Sequence, residues 1–158
     1  MKRTNFANTL AIAVATAFAL SIAPTAQAAD KGCSNATLKG TFAYTNTGFL
    51  TAPPPEVGPF AGVGTQTFDG NGRTTATAWI SQNGNIVSAT ITGTYTVNPD
   101  CTGTFTLLVS PAGIPPFTNN AFFVIDGSEA EFRAINTNTG QVVTTVARRQ
   151  FPVGDWRQ

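Results

Sequence analysis

Between Ile86 and Val97 the chain alternates with a period of two. Val87, Ala89, Ile91, Gly93, Tyr95 and Val97 fall on one face, and Ile86, Ser88, Thr90, Thr92, Thr94 and Thr96 on the other. An extended strand sends successive side chains to opposite sides. One apolar face and one threonine face therefore describe a strand with a core on one side and water on the other. The next stretch repeats the pattern, with Gly103, Phe105, Leu107 and Val109 opposing Thr102, Thr104, Thr106 and Leu108.

Turn residues divide the rest into similar lengths. Asp69-Gly70-Asn71-Gly72, Asn83-Gly84, Asn98-Pro99-Asp100, Asp126-Gly127 and Asn138-Thr139-Gly140 are tight-turn chemistry. They delimit eight strands, at Leu38–Leu50, Phe60–Phe68, Arg73–Gln82, Asn85–Val97, Cys101–Ser110, Asn120–Ile125, Ala130–Asn136 and Gln141–Arg149. No helix pattern appears after the first 28 residues. Neighbouring strands joined by short connections make an antiparallel meander. Closure into an up-and-down β-barrel removes its exposed edges. The expectation is an all-β, eight-stranded antiparallel barrel with one disulfide. A threonine-rich outer face speaks against an outer-membrane barrel, which needs an apolar outward band.

This topology sorts the connections onto two ends. The turns at Asp69–Gly72, Asn98–Asp100 and Asp126–Ser128 share the tight end. Two long, proline-rich connections, Thr51–Pro59 and Pro111–Phe117, share the other. Cys33 precedes the first strand and Cys101 opens the fifth, so both fall at the tight end, as a disulfide between them requires. The segment carrying Cys33 then crosses beneath the barrel and plugs it. Asp69, Asp100, Asp126, Arg148 and Arg149 gather at the same end, where turn chemistry accounts for them better than an ion site. Long loops on a rigid barrel make the opposite end the candidate mouth, with Pro53, Pro54, Pro55, Pro115, Pro116 and Phe117 as mouth residues.

The first 28 residues read as a signal peptide to be cleaved: Met1-Lys2-Arg3, an apolar run from Leu10 to Ile22, and the small-x-small site Ala26-Gln27-Ala28. Residues 29–158 then form a single domain, secreted or periplasmic, with no membrane span. Loss of Lys2 and Arg3 turns the formal charge of +1 into −1. Near-neutrality argues against nucleic acid as a partner. An oxidising compartment also suits a paired Cys33 and Cys101.

Chemistry is sparse. The chain has no histidine, which removes the commonest general base and most zinc sites. No catalytic residue, metal site or cofactor is expected. Glu129 and Glu131 fall on one strand face and are a candidate carboxylate pair, although residues so placed at a strand end are more often solvated. Tyr44, Tyr95, Trp79 and the phenylalanines are candidates to line a pocket, with Phe42, Tyr44, Tyr95 and Phe105 as the barrel lining. An eight-stranded barrel is just wide enough to be filled by side chains or to hold one small ligand, and aromatic side chains filling the core are the default expectation.

The Cys-x4-Leu-x-Gly-x-Phe-x-Tyr spacing from Cys33 to Tyr44 resembles the opening of an uncharacterised family of small secreted bacterial β-barrel proteins. So do Phe68-Asp69-Gly70-Asn71-Gly72 and the run Gly93-Thr94-Tyr95-Thr96-Val97-Asn98-Pro99-Asp100-Cys101-Thr102-Gly103-Thr104. These motifs are structural. The implied architecture is similar to allene oxide cyclase-like and lipocalin-like (calycin) barrels, and shared architecture does not carry function across. The functional expectation is a binding or interaction module for a small apolar molecule or a cell-surface partner. The alternatives are a cyclase- or isomerase-like enzyme acting on an apolar substrate inside the barrel, and a structural envelope component.

Overall fold

The computed structural model describes residues 32–52 and 57–150. The segment read as a signal peptide lies outside the described residues, as do Pro53, Pro54 and Pro55 of the mouth loop.

A single turn of 3-10 helix, Asn35–Leu38, leads into eight strands: β1 (Gly40–Leu50), β2 (Gly58–Phe68), β3 (Arg73–Gln82), β4 (Asn85–Val97), β5 (Thr102–Pro111), β6 (Phe117–Ile125), β7 (Glu131–Asn136) and β8 (Gln141–Arg149). Each strand pairs antiparallel with the next, and β1 pairs with β8 to close the barrel. No helix among the described residues is long and apolar enough to cross a membrane.

The bounds of β3, β4 and β8 are those the turn residues predict. Asn83 and Gly84, with φ of 51° and 86°, make the two-residue turn whose twist matches paired strands. Three departures have local causes. The first strand starts at Gly40 rather than Leu38, because Leu38 closes the helical turn and points into the core, fully buried. The fifth runs on to Pro111, which needs no ladder N–H at a strand end. The sixth begins at Phe117, so that residue opens a strand at the mouth rather than sitting in a loop.

The lower half of the barrel is solid. Phe42, Phe68, Tyr95, Phe105, Phe123 and Phe132 form one aromatic cluster, with centroid distances such as 5.5 Å for Phe42–Phe68 and 4.3 Å for Phe105–Phe123. Each such pair adds about 0.5–1.5 kcal/mol beyond the area it buries. The helical turn seals the base. Tyr95 Oη donates to the Asn35 carbonyl and accepts from Gly70 N, both at 3.0 Å, while Asn35 Oδ1 accepts from Val97 N at 2.8 Å. The Cys33–Cys101 disulfide ties this plug to the start of β5. Arg149 completes the seal. Its guanidinium donates to the carbonyls of Lys39, Thr37 and Glu129 and lies 4.5 Å above the centre of the Phe42 ring.

Candidate functional site

Above the aromatic floor the barrel is hollow. A cavity of about 770 Å³ opens at the end bearing the long connections. Side-chain size explains where it begins. Phenylalanines occupy the inward positions near the base, but at mid-height those positions are Ala76, Ala78, Ala121 and Ala134, which all line the cavity. On β2 the inward positions between Phe60 and Gln66 are Gly62 and Gly64.

Of the residues expected to line the barrel, Tyr44 and Phe105 reach the cavity. Phe42 and Tyr95 are buried beneath it in the floor. Pro115, Pro116 and Phe117 stand at its mouth. Trp79, also a pocket candidate, points outward instead and is 61% exposed. Its odd position on β3 opposes the inward Ala78 and Ile80.

The rim is held by hydrogen bonds between connections. Asn83 N donates to Pro59 O at 2.9 Å, Thr51 N to Gly140 O at 2.8 Å, and Asn138 Nδ2 to Thr118 O at 3.0 Å. Ala112 N reaches Ser88 O at 2.9 Å, which anchors the start of the Pro111–Phe117 connection.

The cavity also holds a set of residues that the sequence reading passed over: Asn46, Gln66, Asn119, Asn136, Gln141 and Thr145. Each occupies an inward position on its strand, in phase with the apolar residues around it. A polar side chain on the core face was the available signal. Gln66 Nε2 donates to Thr74 Oγ1 at 3.0 Å, Asn136 Nδ2 to Gln141 Oε1 at 2.9 Å, and Thr145 Oγ1 to Asn46 Oδ1 at 3.1 Å. Tyr44 Oη and Asn119 Oδ1 are buried with no hydrogen-bond partner. Burial pushes the Tyr44 phenol up to about 12, so it stays protonated at any ordinary pH. No charged residue is among the described residues of the lining.

The charges lie elsewhere. Asp69 Oδ1 accepts from Arg73 N and Asn71 N, and these bonds hold its carboxyl below the usual range. Asp100 is lowered in the same way by the hydroxyl and N–H of Thr102. At Asp126 desolvation works upward, but the N–H groups of Glu131 and Ala130 and the Ser128 hydroxyl outweigh it. Each aspartate thus serves its own turn, and no metal-ligating group of three or more acidic or cysteine side chains gathers among the described residues. Glu129 and Glu131 do not form a carboxylate pair. Glu129 sits in the turn before β7 with φ 57°. Both oxygens of Glu131 are taken, by Arg133 at 2.8 Å and Arg148 at 2.7 Å.

The chain matches no protein-family model, no curated protein and no solved structure.

Proposed function

We propose that this chain is a binding module that holds one small, largely apolar molecule inside the barrel, admitted through the rim formed by the long connections. The hollow carries the reading. Eight strands can be filled entirely by side chains, yet alanines take inward positions at mid-height and about 770 Å³ stays open. Ligand pockets fall in the range of roughly 300–1,000 Å³. The cavity is also built to persist, since its floor is closed by the aromatic cluster and its rim by cross-loop hydrogen bonds.

Binding accounts for the lining better than catalysis. An enzyme working on an apolar substrate needs a group that moves a proton or stabilises developing charge. Tyr44 is the one titratable side chain in the described lining, and a phenol near 12 is a poor acid or base at neutral pH. The Cys33–Cys101 disulfide suits a working place outside the reducing cytoplasm.

The test is titration with N-phenyl-1-naphthylamine, an uncharged probe that fluoresces in apolar surroundings. Saturable one-to-one binding is expected. Ala78→Trp, which fills the cavity at mid-height, should weaken it at least tenfold while the far-ultraviolet circular dichroism spectrum is unchanged. Absence of saturable binding, or equal binding by folded Ala78→Trp, overturns the proposal.

A further inference from the structure

The cavity wall is not uniform around the barrel. Below Gln82 and Asn85 at the rim, strands β3, β4 and β5 present Ala78, Ile80, Val87, Ile91, Leu107 and Val109, an apolar arc. The facing arc, from β6 through β7 and β8 to β1, carries amides and hydroxyls. Asn119 Nδ2 donates to Asn136 Oδ1 at 3.3 Å, and Asn136 Nδ2 passes the chain on to Gln141 Oε1. Below them Thr145 bonds Asn46, and Tyr44 lies on the same side.

Two buried side-chain atoms on this polar arc have no partner. Asn119 Oδ1 accepts from nothing, and Tyr44 Oη neither donates nor accepts. Tyr44 is more than nine-tenths buried. A buried polar atom without a partner is destabilising, and most in native proteins are satisfied. Both residues line the cavity, so the missing partner can come from its occupant. A carbonyl oxygen only accepts, so whatever meets Asn119 Oδ1 must donate. A phenol hydroxyl takes either role.

Charge narrows the class further. The described lining holds no cation to offset a carboxylate, and an ionised group buried without a partner is strongly disfavoured. A carboxylate also offers no proton to Asn119 Oδ1. The apolar arc, in turn, favours a ligand with a hydrocarbon face over one that is polar on every side.

We infer that the cavity selects uncharged molecules with an apolar skeleton and an O–H or N–H donor along one edge, of the alcohol or phenol class, over carboxylates of the same skeleton. This rests on the binding reading above.

Fluorescence titration of the folded protein at pH 7.5 with 1-pyrenemethanol, 1-pyrenecarboxylate and pyrene separates the two. The expected result is that pyrenemethanol binds at least tenfold more tightly than pyrenecarboxylate. Asn119→Leu and Tyr44→Phe should each lower the preference for pyrenemethanol over pyrene, by about tenfold for Asn119→Leu, the size expected for a buried hydrogen bond lost with its partner left unpaired. Tyr44→Phe keeps the ring, so it remains a fair test where Asn119→Leu fails to fold. Binding of pyrenecarboxylate as tight as that of pyrenemethanol, or an unchanged preference in the folded variants, overturns the inference and leaves the binding reading standing. Failure of all three probes to bind saturably overturns both.

Discussion

The Tyr44 ring lies across Gly64, its direct partner on the neighbouring strand. A Cβ built on Gly64 would stand 2.9 Å from the Tyr44 ring and its hydroxyl, and would overlap the Thr77 carbonyl oxygen. Two residues away, a Cβ on Gly62 would meet Trp79 O at 3.5 Å and Asn46 at 3.7 Å, which are ordinary contacts. The two glycines on one strand face therefore do different work. Gly64 admits a phenol, whereas Gly62 has room for a methyl group in ordinary contact with Asn46 and the Trp79 carbonyl.

Alanine at each position should separate these roles. Gly64→Ala is expected to destabilise by about 1–3 kcal/mol, the usual range for forced overpacking. Gly62→Ala should stay within about 1 kcal/mol of the parent, on either side, because lost chain entropy in the unfolded state favours it. Urea denaturation midpoints measure both. Equal destabilisation would show that the Gly64 contact is not what limits the site.

Tyr44 also has a signature in alkali. Its phenol titrates near 10 in the unfolded chain and near 12 in the fold, because burial disfavours the charged form. Between those values the unfolded state has lost the proton and the folded state has kept it, so stability falls as pH rises through the window. Below pH 10 the contribution is complete. A shift of this size corresponds to roughly 2–3 kcal/mol across the window. Tyr44→Phe should flatten that part of the profile, and stabilise the empty protein by about 1 kcal/mol near neutrality because no polar atom is left unpaired. Tyr95, also raised by burial, is present in both proteins and cancels in the difference. Thermal unfolding of the pair at pH 8 to 11 is the measurement.

Alternation and turn chemistry made the barrel legible. Period-two faces in β4 and β5, Asn83-Gly84, and the prolines of the two long connections carried strand number, pairing and the distinction between ends. The cavity was harder to see, because composition hides height. Phe42 and Tyr44 are both inward aromatics on one strand, yet one is floor and the other is lining. Telling them apart requires the register with β2 and β8, which places Phe42 beside Gln66 and Arg149 near the base. The rings that lie against strand glycines come from the adjacent strand, Tyr44 over Gly64 and Phe123 against Gly103. Cross-strand partners are set by hairpin register, which the sequence of one strand does not encode.

The disulfide fixes the plug rather than the hollow. Cys33 and Cys101 are 68 residues apart in sequence, and closing a loop of that length stabilises by about 4 kcal/mol in the chain-entropy view. The double variant Cys33→Ser with Cys101→Ser should lose about that much in urea denaturation. The base seal also rests on Asn35, Tyr95 and Arg149, so the barrel should still close. Hydrogen exchange is then expected to quicken at Thr37 and Lys39, whose N–H groups close the helical turn, with little change at Val143 or Ala121. Uniform loss of protection across the sheet would mean that the bridge supports the whole barrel.

Glu131 supplies the acid limb. It is the buried carboxylate of the barrel exterior, and the Arg148 and Arg133 guanidinium groups, Arg148 foremost, hold it below its ordinary 4.5. A carboxyl lowered in the fold adds stability above its unfolded value and surrenders it as pH falls through the folded one. The window therefore opens near pH 4.5 and extends downward. Asp69, Asp100 and Asp126 are also lowered, so the parent should lose stability steadily below that point. Glu131→Gln keeps the shape but not the charge. Its unfolding midpoint should lie below the parent's at pH 7, and the gap should narrow as the pH drops to 3, because protonation of the parent removes the same ion pairs. A gap that stays constant over this range would mean that Arg133 and Arg148 hold Glu131 by geometry alone, with no charge-dependent share.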